Sequence, residues 1–218
     1  METALTDGWG FRIIKTIAKD CLTGNTLQDN LKEDNCKEGK TMKRLRRVIF
    51  LDIDGVLQPN GSQYRFDHDL KELVKELAVQ YNNNDYLEMD RYDLGAVKYD
   101  WDTGAVERLR QLCIKAPAEI IISSDWRRYN KLPRLKDYFK LHDLDQYVKG
   151  VIAQIEGKYR CGEVEDYLLK NPDIHRFVIL DDANTRDFEA HYPEQFVYCP
   201  SIFNEDCYKK ALRILRKK

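Results

Sequence analysis

The chain reads as an α/β protein, a three-layer sandwich around a mainly parallel five-stranded sheet. Three observations point there. Short continuous apolar runs, such as "VIFLD" from Val48, have the length and unbroken apolarity of strands covered on both faces. Segments with apolar residues at helical spacing separate those runs. Several runs end on polar residues: Asp52 and Asp54, Ser123 and Ser124, Asp181 and Asp182. In such sheets ligands bind beyond the carboxyl ends of the strands, so these residues are expected to share one crevice.

The elements follow in order. Residues 1–41 differ from the rest, because "GNTLQDNLKEDNCKEGKT" is polar and linker-like. They are expected to form a flexible extension, although "FRIIKTIAK" has the spacing of one or two amphipathic turns, and the folded domain is expected over 42–218. The basic "KRLRR" reads as a solvated lead-in, with phosphate steering as the alternative. After the first strand, "DHDLKELVKELAVQY" predicts a helix burying Leu70, Leu73, Val74, Leu77 and Ala78, with Asp67 as its N-cap. "NNNDYLEMDRYDLG" reads as irregular. "DTGAVERLRQLCIKA" predicts a helix with Val106, Leu109, Leu112 and Cys113 inward. "EIIISS" is a strand, "LPRLKDYFKLHDL" a helix and "YVKGVIA" a third strand. "GEVEDYLLKNP" is a helix stopped at Asn171-Pro172. "RFVILDD" and "QFVYC" complete the sheet, and "NEDCYKKALRILRKK" closes the chain as a helix.

Bulk properties narrow the function. A chain of 218 residues suits one domain with an insert, and 43% apolar content suits a globular one. A formal net charge of -1 implies no general pull toward nucleic acid or anionic membrane, while leaving room for a local basic patch. The six cysteines include no C-x-x-C pair and no Cys/His cluster, which argues against zinc. Cys113 and Cys199 read as small core residues. Reduced thiols and a start lacking a basic-then-apolar leader make the cytoplasm the expected location. No run approaches the length of a membrane span.

Four carboxylates in one crevice would repel strongly and call for a cation. Oxygen-only ligands suit a hard ion, and Mg2+ is the natural choice. Mg2+ among carboxylates most often means phosphate chemistry. Asp52 is then the nucleophile, forming an aspartyl-phosphate. Asp54 is the general acid for the leaving oxygen and the base for the hydrolytic water. Gly55 lets the backbone turn close to the phosphate. Ser124 binds a phosphoryl oxygen, Lys158 or Arg160 supplies positive charge, and Asp181 and Asp182 hold the metal. Arg127 and Arg128 divide between phosphate contacts and surface ion pairs. Alone, D-x-D-G is also a turn, and Ser124 alone would be a helix cap. Their company at three strand ends favours the site.

At these residues the sequence resembles the haloacid dehalogenase (HAD) superfamily: "DIDGVL", a strand ending "ISS", a Lys or Arg before a helix, then "VILDD". The resemblance covers about residues 46–200. It implies a Rossmann-like sheet and phosphatase activity, because the second aspartate of D-x-D is that of phosphatase members. It also implies that Asp52 and Asp181 bind the metal through carboxylates and Asp54 through its main-chain carbonyl, with Asp182 at or near the metal. "DWDTGAVERLRQLC", "EIIISSDWRR" and "RCGEVEDYL" are similar to the branch named for Swiss Army Knife RNA-repair proteins. That similarity selects Ser124 over Ser123 and Arg160 over Lys158, and sets Trp126 and Arg127 in the second motif. Ser123 stays a candidate phosphate contact.

Residues 58–100 are too many for a bare hairpin flap and too few for a full cap domain, so an enlarged flap or rudimentary cap is expected. Its tyrosines, Tyr64, Tyr81, Tyr86, Tyr92 and Tyr99, read as packing, with stacking on a base as the alternative. The expected function is a Mg2+-dependent phosphomonoester hydrolase. A nucleic-acid end-processing phosphatase and a non-catalytic regulatory module are the alternatives. The expected partner is a phosphorylated small molecule or nucleotide, or a nucleic-acid end, and not a membrane. Oligomeric state is not legible.

Overall fold

A computed structural model describes residues 45–183 and 186–217. The extension expected over 1–41, with Cys21 and Cys36, lies outside them, as do the first two residues of "KRLRR". The sheet has five strands, all parallel: β1 Arg46–Leu51, β2 Ala118–Ile122, β3 Val148–Val151, β4 Ile174–Asp181 and β5 Phe196–Tyr198. Their spatial order is β3-β2-β1-β4-β5, which puts β1 at the centre. Helices are α1 Leu70–Gln80, α2 Arg91–Gly95, α3 Thr103–Lys115, α4 Leu132–Lys140, α5 Arg160–Lys170, α6 Arg186–His191 and α7 Glu205–Arg216.

The apolar runs explain the three layers. In β1, Ile49 and Leu51 join one core cluster while Val48 and Phe50 join the other, and all four are fully buried. Successive side chains of a strand point to opposite faces, so both faces need a cover. One face is covered by α1, α3, α4 and α7, which contribute Leu73, Leu109, Phe139 and Leu215. The other is covered by α5 and α6 through Val164 and Phe188. Each aliphatic residue so buried stabilises the fold by roughly 1.5–3 kcal/mol. Cys113 and Cys199 are buried in the core as free thiols. Among the described residues no helix is long and apolar enough to cross a membrane.

The insert holds the expected helix as α1, with Leu70, Leu73, Val74, Leu77 and Ala78 buried. It is helical, and Leu73, Tyr86, Leu94 and Val97 belong to the same cluster as β1, so it has no core of its own. The N-cap of α1 is Asp69, not Asp67: the Asp69 carboxylate accepts from the amides of Lys71 and Glu72. Asp67 ends a 3-10 turn, Tyr64–Asp67. The stretch expected to be irregular holds a 3-10 turn, Asn84–Glu88, and the short α2, which runs into a π turn at Ala96–Asp100. Asn83 and Asp90 cap these pieces, and each is too short to show a helical period. The described arginines of the lead-in serve the fold. Arg46 pairs with Glu119 at 2.8 Å, and Arg47 donates to the carbonyl of Leu215 at the end of α7.

Candidate active site

Register brings the site together. Leu51 is level with Ile122 on one side and Leu180 on the other. Main-chain pairing continues past the strand ends: Asp52 donates to Leu180, Ser123 donates to Leu51, and Cys199 donates to Asp181, each at 2.9 Å. Asp52, Ser123 and Asp181 therefore stand side by side on adjacent chains. Oxygens of Asp52, Asp181 and Asp182 all lie within 4.8 Å of one another, close enough to share a metal ion. Asp52 and Asp181 are buried and Asp182 half-buried.

Arg160, the first residue of α5, lies against this cluster. Its Nη1 donates to Asp52 Oδ2 at 2.6 Å and to Asp181 Oδ2 at 2.7 Å, and its Nη2 to Asp125 Oδ1 at 3.3 Å. Burial opposes the guanidinium charge, but Asp52 and Asp181 outweigh it and raise the pKa. Burial pushes the Asp181 carboxyl up to about 6, with Asp52 adding and Arg160 opposing. Lys158 sits exposed on the loop before α5, its stem near Gly162. The guanidinium that meets the aspartates thus belongs to Arg160.

Asp54 leaves the strand through a tight turn, in which the amides of Val56, Leu57 and Gln58 all converge on the carbonyl of Ile53. Its exposed carboxylate accepts from the indole Nε1 of Trp126 at 3.0 Å. Partial desolvation raises the Asp54 pKa; the Trp126 bond opposes this, and Asp52, Asp182 and Asp93 add to it. Gly55 has a φ of +69°, and a Cβ there would overlap the Asp182 side chain. The missing side chain at Gly55 makes room for Asp182, a neighbour beyond the phosphate it was expected to clear. Asp182 in turn accepts from Asn60 at 2.8 Å.

The loop after β2 departs further from expectation. Ser124 is buried and caps the 3-10 turn Asp125–Arg128 through a long contact, 3.5 Å, from the Trp126 amide. Ser123 Oγ is buried without a partner among the described residues. Arg127 was expected either at a substrate phosphate or in a surface ion pair. It is instead turned inward, with its side chain only 4% exposed, and it pairs with Glu163 and donates to the carbonyls of Ser123 and Ser124. Arg128 stays on the rim beside Asp125, at 3.1 Å.

Three supporting residues were given no role from the sequence, although Asp125 was expected at the crevice or at the start of the following helix. Asp125 gathers Arg127, Arg128 and Arg160. Glu163 holds Arg127 with one oxygen and the Ile155 amide with the other, at 2.8 Å. Asn60 reaches Asp182 from the insert. Glu163 had a signal, since it lies in "RCGEVEDYL"; Asn60 looked like an ordinary turn residue.

A family model described as the HAD domain in Swiss Army Knife RNA repair proteins matches residues 48–202. The chain belongs to that family. The match spans every strand except the first two residues of β1, and every residue of the site of this HAD domain. No curated protein and no solved structure matches the chain.

Proposed function

We propose that this HAD domain is a Mg2+-dependent phosphomonoesterase working through an aspartyl-phosphate on Asp52. The observation that carries this reading is the convergence of three carboxylates with Arg160 at the ends of β1 and β4. The donor set fits Mg2+: every candidate ligand is oxygen, and three carboxylates exceed what one guanidinium can neutralise. Asp52, Asp181 and Asp182 would hold the ion with the Asp54 carbonyl. When bound, it offsets charge on the phosphoryl oxygens.

The residues supply the rest. An oxygen of Asp52 forms a bond to phosphorus as the bond to the leaving oxygen breaks. Asp54 gives that oxygen its proton; its raised pKa and exposed position at the crevice mouth support the role. Asp54 then takes a proton from water, which attacks phosphorus and breaks the bond to Asp52, releasing inorganic phosphate. Arg160 pairs with the oxygens of Asp52 before reaction and with the phosphoryl group during it. The family's description favours a second reading of the same chemistry, the phosphorylated end of a nucleic acid as substrate. We place the work in a reducing, cytoplasmic setting, which the four buried free thiols support.

Phosphate release from simple phosphomonoesters tests this. Turnover is expected with Mg2+, to vanish in EDTA, to return with added Mg2+, and to be absent in Asp52→Asn. Full turnover in EDTA, or in the folded Asp52→Asn protein, rejects it.

A further inference from the structure

The insert carries rings that its packing does not use. Tyr86 is fully buried and stacks on Tyr81 at 5.3 Å, and Tyr99 stacks on His68 at 3.7 Å. Phe66 and Tyr92 stay 57% and 46% exposed. Their rings lie 6.2 Å apart. A guanidinium stacks on each, Arg65 at 5.2 Å from the Phe66 centroid and Arg91 at 5.0 Å from that of Tyr92. Large exposed rings in company mark a binding surface more often than scattered ones do.

A short chain of contacts links this pair to the phosphate chemistry. Tyr92 is followed by Asp93, whose carboxylate accepts from the Tyr138 hydroxyl at 3.2 Å. The Tyr138 ring meets the Trp126 ring at 5.5 Å, and Trp126 holds Asp54 at 3.0 Å. Asp93 is near enough for its charge to act on Asp54. These contacts connect Tyr92, through its neighbour Asp93, to Asp54, the proposed acid for the leaving oxygen. A flat ring with arginine beside it is the partner that a nucleobase stacks on, whatever its identity.

We propose that Phe66 and Tyr92 form a nucleobase platform, so that the substrate is a nucleoside monophosphate, free or at the end of a short strand. This rests on the phosphatase reading above and names its substrate class.

The test compares phosphate release from adenosine 5'-monophosphate, ribose 5-phosphate and a 5'-phosphorylated tetra-adenylate. Wild type and Phe66→Ala/Tyr92→Ala are measured on each. Ribose 5-phosphate has the same ester without the base. In wild type, kcat/KM for the nucleotide is expected to exceed that for the sugar phosphate by about tenfold or more. In the double variant the excess disappears through KM, and the sugar phosphate rate is unchanged. A tetranucleotide better than the mononucleotide assigns the strand end, and the reverse assigns the free nucleotide. Equal rates on nucleotide and sugar phosphate in wild type, or a preference that survives the double substitution, overturn the platform.

A second measurement separates the two levels. The phosphate of 2-aminopurine riboside is added to Asp52→Asn, and quenching of its fluorescence reports stacking. Quenching that is lost when Phe66 and Tyr92 are also replaced supports the platform even if no phosphoester turns over, in which case only the phosphatase reading falls. No quenching overturns the platform.

Discussion

Arg127 and Arg160 stand on neighbouring loops and both meet carboxylates, yet their surroundings push them in opposite directions. Arg160 faces Asp52, Asp181 and Asp125, and their attraction outweighs burial and raises its pKa. Arg127 is sealed with Glu163; there burial outweighs the Glu163 attraction and lowers its pKa. The number of acids decides the outcome. Around Arg160 negative charge is in surplus, as the metal site proposed above would require. Around Arg127 the buried partner is Glu163 alone, with the half-exposed Asp125 shared among three arginines and Arg160 adding repulsion, as befits a buried strut. The strut ties the loop after β2 to the start of α5, and so sets where Arg160 begins.

Breaking the strut should give the largest effect. Glu163→Ala leaves Arg127 charged and buried without its buried carboxylate, keeping only the longer contact to Asp125 and the carbonyls of Ser123 and Ser124, and is expected to lose about 3 kcal/mol of stability in urea unfolding. Glu163→Gln, which keeps the bond to the Ile155 amide, should lose less. Arg160→Met should do the reverse. It is expected to cut kcat/KM about 10²–10³-fold, the scale of losing one transition-state donor, with a smaller change in the urea midpoint. If Arg160→Met unfolds the protein as readily as Glu163→Ala, the two arginines do not differ in the way described.

Smaller effects sharpen the contrast. Trp126→Phe keeps the ring that packs on Trp101 and Tyr138 but removes the bond to Asp54. It is expected to lower kcat about tenfold on alkyl phosphates, whose leaving oxygen needs a proton, and less on p-nitrophenyl phosphate. An equal loss on both would deny Asp54 the acid role. His142 is a partly buried base on which the attraction of Asp143 is opposed by Lys98 and Arg110. It bonds the Val97 carbonyl at 2.8 Å and stacks on Trp101, and burial lowers its pKa from 6.5. A depressed histidine contributes stability that is complete above its unfolded pKa and lost as pH falls through the folded one. Thermal unfolding across pH 5 to 7.5 should show wild type losing more stability on acidification than His142→Gln; parallel curves would refute this.

The sheet was legible because buried parallel strands are written as unbroken apolar runs, and their polar ends pointed to the crevice before any geometry was known. Asp52, Asp181 and Asp182 followed from that rule alone. Within the insert α1 was legible, with Leu70, Leu73, Val74, Leu77 and Ala78 inward as their spacing predicted. The pieces after it were not, because they are shorter than a reliable period and owe their existence to caps at Asn83 and Asp90 and to Tyr86 and Leu94 in the core. The inward turn of Arg127 was not legible either. "DWRR" has two adjacent arginines, and which one is buried depends on Glu163, distant in sequence. The turn at Gly55 was legible, but its neighbour Asp182 was not, since only the fold brings the two together.

The central claim is that Asp52 carries the phosphoryl group. Acid quenching during turnover of a 32P-labelled phosphomonoester with Mg2+ tests it directly. The account predicts label on the peptide containing Asp52, absent from Asp52→Asn. Steady turnover with no label on protein, together with an Asp52→Asn protein that keeps the wild-type rate, would contradict it.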